Sequence, residues 1–217
     1  MASPAMGNPE IASFRRSLWL ELPPEVYGSL YKASFLLRTR PLNSGRQTEA
    51  LLLIQRLKAL NTDELLGVGS DDNAFLDALV AQARRLYVAA AEVLLLKVAY
   101  PDIQVTDNLV QRLLREAIAD ILSVNAMTQD LTSLLICPLA ILGTAAIRTE
   151  DREILVSRLN RMRTLTGGRD LDSVLSFLQD VWGQVTETFD GDTRKPVTAT
   201  TQLDIWLDES RLRCVTI

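Results

Sequence analysis

The 217-residue sequence contains no histidine. That removes the usual general base near neutral pH and the commonest metal ligand, and many enzyme classes with them. Cysteine is nearly as scarce. Cys137 and Cys214 stand far apart with no second cysteine beside either, so neither a zinc-ligand spacing nor a disulfide framework is present. Positive charge is not in excess: 23 basic and 27 acidic residues give a formal charge of −4, with no overall attraction to phosphate backbones or anionic lipid. Met1 to Trp19 holds Pro4, Pro9, Arg15 and Arg16 without the apolar core of a signal peptide, so an intracellular, reducing compartment is expected.

Membrane-spanning runs and strand patterns are missing too. One uncharged stretch, Leu131 to Ile147, reaches only the lower edge of a spanning length. Pro138 and Gly143 interrupt it and Thr132, Ser133 and Thr144 dilute it, so it reads as a buried helix of a soluble protein. No sustained apolar–polar alternation occurs, and no Asn-Gly or Asp-Gly turn links two β-rich runs. What is there is helical periodicity in a chain that is 47% hydrophobic, enough for a sizeable core.

The expected fold is all-α, a multi-helix bundle with a long central helix and a buried apolar helix after Pro138. Residues 1–22 read as a flexible tail, 23–190 as one helical domain, and 191–217 as a C-terminal extension that can pack on it. Pro23 and Pro24 precede a helix over Glu25 to Leu37, which Pro41 ends. Asn43 or Ser44 caps the next, running to about Leu60. Phe75, Leu79, Leu86, Tyr87, Ala90 and Leu94 continue a pattern from Asp72 to Tyr100, roughly 40 Å if unbroken. Thr106 or Asp107 caps a helix with Leu109, Leu113, Ala117 and Ile121 on its apolar face. Thr149 opens another bearing Leu155, Leu159 and Met162, closed by Gly167 and Gly168. Asp170 caps a last one with Val174, Phe177, Leu178 and Val181 inward, and for Leu203 to Leu207 helix and short strand are both open.

Candidate chemistry is thin, and no catalytic, cofactor or metal site is assigned. Asp71, Asp72, Asn73 and Asp77 faintly resemble a diphosphate-binding aspartate cluster but have no second ligand set, and read as helix-capping acids. The one Ser-x-x-Lys spacing, Ser29-Leu30-Tyr31-Lys32, lies inside the first expected helix, and serine catalysis is not expected. Cys137 lies in the most apolar part of the chain, where a thiol behaves as a small hydrophobe with a raised pKa. Arg152, Arg158, Arg161, Arg163 and Arg169 form the one basic region. Without interleaved aromatics, and beside Glu150, Asp151 and Glu153, they read as a solvated helix face. Gly143 among apolar residues suggests a neighbouring backbone too close for a side chain. A second reading of the whole is a helical enzyme or small-molecule carrier with an apolar cavity, to which Tyr87, Tyr100 and Trp182 lend polar tips.

The segment Cys137-Pro138-Leu139-Ala140-Ile141-Leu142-Gly143-Thr144-Ala145-Ala146 resembles a motif of the fungal-specific transcription factor domain, the helical regulatory region downstream of binuclear zinc clusters. The pattern there is approximately Trp-Pro-Leu-Phe-x-Ala-Gly-x-Glu-Ala. Pro138, Leu139, Gly143 and Ala146 keep it; Cys137, Ala140 and Ala145 replace the tryptophan, the aromatic residue and the glutamate. A helix with Arg152 and one ending in Val181-Trp182 follow in the family's order, so the resemblance covers roughly residues 75 to 185. It implies a nuclear regulator acting through protein partners or self-association, or through a small-molecule effector. Cys137, Pro138, Leu139, Gly143, Ala146, Arg152 and Trp182 are expected as its structural motif residues. The family's cysteine cluster cannot be built from Cys137 and Cys214, so zinc binding and sequence-specific DNA contact are not expected of this chain, which reads as part of a longer regulator or a stand-alone relative.

Overall fold

Helix ends fall where a side chain or a proline deals with backbone groups that the helix itself leaves unpaired. The structure, a computed structural model, describes residues 24–38, 43–62, 74–123, 129–166, 168–186 and 199–207. Among them are α1 (Pro24–Arg38), α2 (Ser44–Thr62), α3 (Ala74–Ala99), α4 (Asn108–Ser123), α5 (Gln129–Gly143), α6 (Thr149–Thr166), α7 (Arg169–Thr186) and a closing 3-10 helix (Ala199–Leu207). No strand occurs among the described residues, and the protein is all-α. Pro24 suits the first position of α1, where an N–H would lack a helical partner anyway.

Asn43 caps α2, its Oδ1 accepting the Arg46 N–H at 3.1 Å. Gln104 and Asp107 set the start of α4 by exchange: the Asp107 carboxylate accepts the Gln104 N–H at 2.8 Å, and the Gln104 carbonyl accepts the Asp107 N–H at 3.0 Å. The Thr106 hydroxyl instead donates to the Gln104 side chain. Asp170 is not a cap. Helix α7 already includes Arg169, and Asp170 sits in its first turn, where a negative charge still complements the helix dipole. Gly168 separates α6 from α7, while Gly167, the tail and Asp71 to Asn73 lie outside the described residues.

Helix α3 packs against α1, α2, α4 and α5. Every residue from Leu86 to Ala99 is buried, as a helix surrounded by others requires. Such a run includes Glu92 and Lys97. The ammonium of Lys97 donates to the carbonyls of Pro101 and Ile103 and pairs with Asp204 at 2.6 Å, so it pins the turn after α3 and the 3-10 helix together.

The buried apolar helix does not begin after Pro138. Helix α5 runs from Gln129 to Gly143 with Pro138 inside it. A proline there removes the donor for the carbonyl four residues earlier, Leu134. The Tyr87 hydroxyl from α3 donates to that carbonyl at 2.7 Å, which lets the helix pass through the proline without an orphaned acceptor. Tyr87 is itself placed edge-on against Tyr27 of α1, ring centroids 5.2 Å apart. Of the extension only residues 199–207 are described; they are helical and contact α7 and α1, with Leu203, Ile205 and Trp206 buried. No helix among the described residues is long and apolar enough to cross a membrane.

Candidate functional site

The sequence motif converges on the corner where α5 ends. A Cβ added at Gly143 would lie 2.7 and 2.8 Å from the two Leu178 methyls and 3.3 Å from its Cγ, so what fills the space is the Leu178 side chain of α7 and not the neighbouring backbone that the sequence suggested. The Gly143 carbonyl accepts the Trp182 indole N–H at 3.0 Å. Over the Trp182 ring sits the Arg152 guanidinium, 5.4 Å from the centroid, and Arg152 Nε donates to the Ala146 carbonyl at 3.0 Å. Gly143, Trp182, Arg152 and Ala146 thus form one closed circuit joining α5, α6 and α7.

Two further side chains complete the corner. Gln111 of α4 donates to the Ala145 carbonyl at 3.0 Å and the Val105 carbonyl at 2.6 Å. Thr144 donates its hydroxyl to the Ile141 carbonyl at 2.7 Å and accepts the Trp206 indole N–H at 2.9 Å. The carbonyls left over at a helix end are the groups that need such partners, and here long side chains from three other elements supply them while Trp206 of the 3-10 helix donates to the Thr144 hydroxyl. Leu139 is fully buried and Pro138 buried in α5. Cys137 is half-buried, its thiol pushed up to about 11 by burial, a poor nucleophile near neutral pH.

Other sequence candidates come apart. Tyr87 and Trp182 do not turn polar tips toward a common cavity, because both tips are bonded to carbonyls of α5; Tyr100 lies 48% exposed just beyond α3. The basic region is not one solvated face either. Arg152 covers Trp182, Arg158 is buried, and Arg163 pairs with Asp172 at 3.1 Å. Arg161 lines a groove between α4 and α6 with Glu150 and Glu153. Arg161 and Arg163 stay exposed, whereas Arg152 and Arg158 are drawn in, as long side chains whose stems can cover apolar surface. Among the described residues no group of three or more acidic or cysteine side chains is placed to hold a metal ion.

An open feature lies between α2, α3 and α4. It is a cavity of about 560 Å³ whose charged lining comprises Lys58, Arg85, Glu92, Arg112, Glu116 and Asp120, with Val88, Ala89 and Leu113 as apolar floor. Arg85 is bonded to Asp120 at 2.8 Å, and Arg112 stands 3.8 Å from Glu116. Glu92 is only 6% exposed, and among the described residues no hydrogen bond or ion pair engages its carboxylate. Burial raises its pKa above the ordinary carboxylate value; Lys58 and Arg112 oppose the shift and Glu116 adds to it. Sequence reasoning missed this groove. The only signal was an acid in the middle of an otherwise apolar helical run.

The model of the fungal specific transcription factor domain family matches residues 28–194, most of the chain and all of the corner except Trp206. Searches of the curated proteins and of the solved structures found no match.

Proposed function

The chain belongs to the fungal specific transcription factor domain family, and from that premise we propose that it is a regulatory module that works by binding an effector or a protein partner, not by contacting DNA. The observation that carries the reading is the family match over residues 28–194. Several features support the finer part of it. The sequence has two cysteines and no histidine, too few ligands for a zinc cluster, and its net charge of −4 does not favour a phosphate backbone. Tyr31 and Phe35 of α1 and Leu52 of α2 are 75%, 49% and 51% exposed, and Lys32 is paired with Glu49 across the same two helices at 2.8 Å. An apolar face of this kind on a braced helix pair suits a protein partner or a second copy. Membership of a transcription factor family supports a nuclear location.

The test is a reporter assay with this chain fused to an unrelated DNA-binding domain over that domain's operator. The expected result is a change in reporter output relative to the DNA-binding domain alone, with no nanomolar affinity of the isolated chain for DNA at physiological salt. Unchanged output, or tight binding to a defined DNA site without a partner, would contradict the proposal.

A further inference from the structure

We propose that the groove between α2, α3 and α4 is a binding site for a small organic amine, whose protonated nitrogen pairs with the Glu92 carboxylate while its carbon body lies on Val88, Ala89 and Leu113. The inference rests on the effector reading for its regulatory consequence and names the chemistry the effector would carry. Three observations support it. The cavity, about 560 Å³, is within the usual range for small-molecule sites. Its floor is apolar, with one ionisable group sheltered at it. That group, Glu92, is only 6% exposed as a residue and lines the groove, and no hydrogen bond or ion pair engages its carboxylate among the described residues, which leaves it open to a donor entering the groove.

The sign of the ligand follows from how the other charges are arranged. Arg85 on α3 is tied to Asp120 of α4, and Arg112 stands beside Glu116 on α4, so these two cations each have an acid close by. Lys58 from α2 and Arg112 act on Glu92 through space from exposed positions, where water screens them. The sheltered charge without a bonded partner is negative. An ammonium N–H brings the donors that the carboxylate lacks, and a charge-assisted bond in a sheltered site is among the stronger single contacts available to a small ligand. An anionic ligand would meet Glu92 at the floor and be repelled.

The experiment uses the full chain, isotopically labelled, titrated with n-hexylammonium and, separately, with n-hexanol and hexanoate, following backbone amide shifts. Saturable shifts at Val88, Ala89, Glu92 and Leu113 are expected with the ammonium alone. Affinity should rise as pH increases above the ordinary carboxylate range, and Glu92→Gln should weaken it roughly tenfold or more. Circular dichroism checks that Glu92→Gln is folded; should it not be, the wild-type shift map and the three-probe comparison decide by themselves. Equal binding of hexanol, shifts confined to another part of the chain, or an affinity indifferent to Glu92→Gln in a folded variant would overturn the site. Because binding is read directly, a chain that regulates the reporter yet ignores the amine loses this inference alone. One that binds the amine yet leaves the reporter unchanged loses the regulatory reading alone.

Discussion

The corner at the end of α5 and the groove bordered by α2 and α4 both set polar groups between helices, but they treat them differently. At the corner each buried donor meets a carbonyl or a hydroxyl: Trp182 on Gly143, Arg152 on Ala146, Gln111 on Ala145, Trp206 on Thr144. In the groove the Glu92 carboxylate faces a cavity with no bonded partner among the described residues. A satisfied polar network fixes one arrangement of helices, whereas a carboxylate that lines an open groove can take up a ligand's donor. The residues that carry the sequence resemblance therefore sit where the chain holds itself together, and the groove proposed for recognition lies where no motif points.

The comparison breaks first at Gly143. Gly143→Leu should cost about 1–3 kcal/mol in urea unfolding, because the Leu178 side chain already occupies the space. Gly143→Ala gains about 0.5–1 kcal/mol in helix propensity yet should still come out less stable, since the new methyl meets a fully buried leucine. Combining it with Leu178→Ala should recover part of that loss, a coupling on the order of 1 kcal/mol. Strict additivity of the two substitutions would mean that the close approach of α7 is not what selects glycine.

A smaller effect sharpens the picture within α5. Tyr87→Phe should cost about 1–2 kcal/mol because the Leu134 carbonyl loses its donor in the interior. Pro138→Ala restores a backbone N–H four residues on, so in that background the same tyrosine substitution should cost only a few tenths of a kcal/mol, roughly a neutral change. Equal cost in both backgrounds, measured by urea unfolding, would show that the hydroxyl matters for some reason other than the proline.

Local pattern and distant partnership were not equally legible. Helix periodicity and the Asn43 cap are written in neighbouring residues, whereas the tight space at Gly143 belongs to the Leu178 side chain and not to a backbone, and the Arg152 and Trp182 of the motif resemblance meet at the corner. The passage of α5 through Pro138 was not readable, because the donor that permits it comes from Tyr87, forty-seven positions away in sequence. The same holds for Trp206 on Thr144, sixty-two positions apart, and for Lys97, whose place in an apolar run gives no hint that Asp204 awaits it. Arg152 was read as solvated with Arg161 and Arg163, which are exposed, because charge alone does not reveal an aromatic face or a nearby carbonyl. Glu92 is the extreme case. Its meaning depends on what three helices leave empty, and an empty volume has no sequence signature.

The most direct measurement pairs Trp182→Phe with Glu92→Gln and reads urea stability and n-hexylammonium binding on the same samples between pH 4 and 8. Trp182→Phe leaves the Gly143 carbonyl without its donor and should lose about 1–2 kcal/mol at every pH while binding is kept. For Glu92 the folded pKa is raised above 4.5, so the folded state holds more protons than the unfolded one once the pH passes that value. The stability that its neutral form provides is complete below 4.5 and is lost as pH rises through the folded value. Glu92→Gln should therefore be at least as stable as the parent at pH 7, with any gain vanishing toward pH 4, and should lose the amine. That crossing of effects is what a closed structural corner and an open recognition groove predict; binding lost in Trp182→Phe, or stability lost at neutral pH in Glu92→Gln with binding intact, would contradict it.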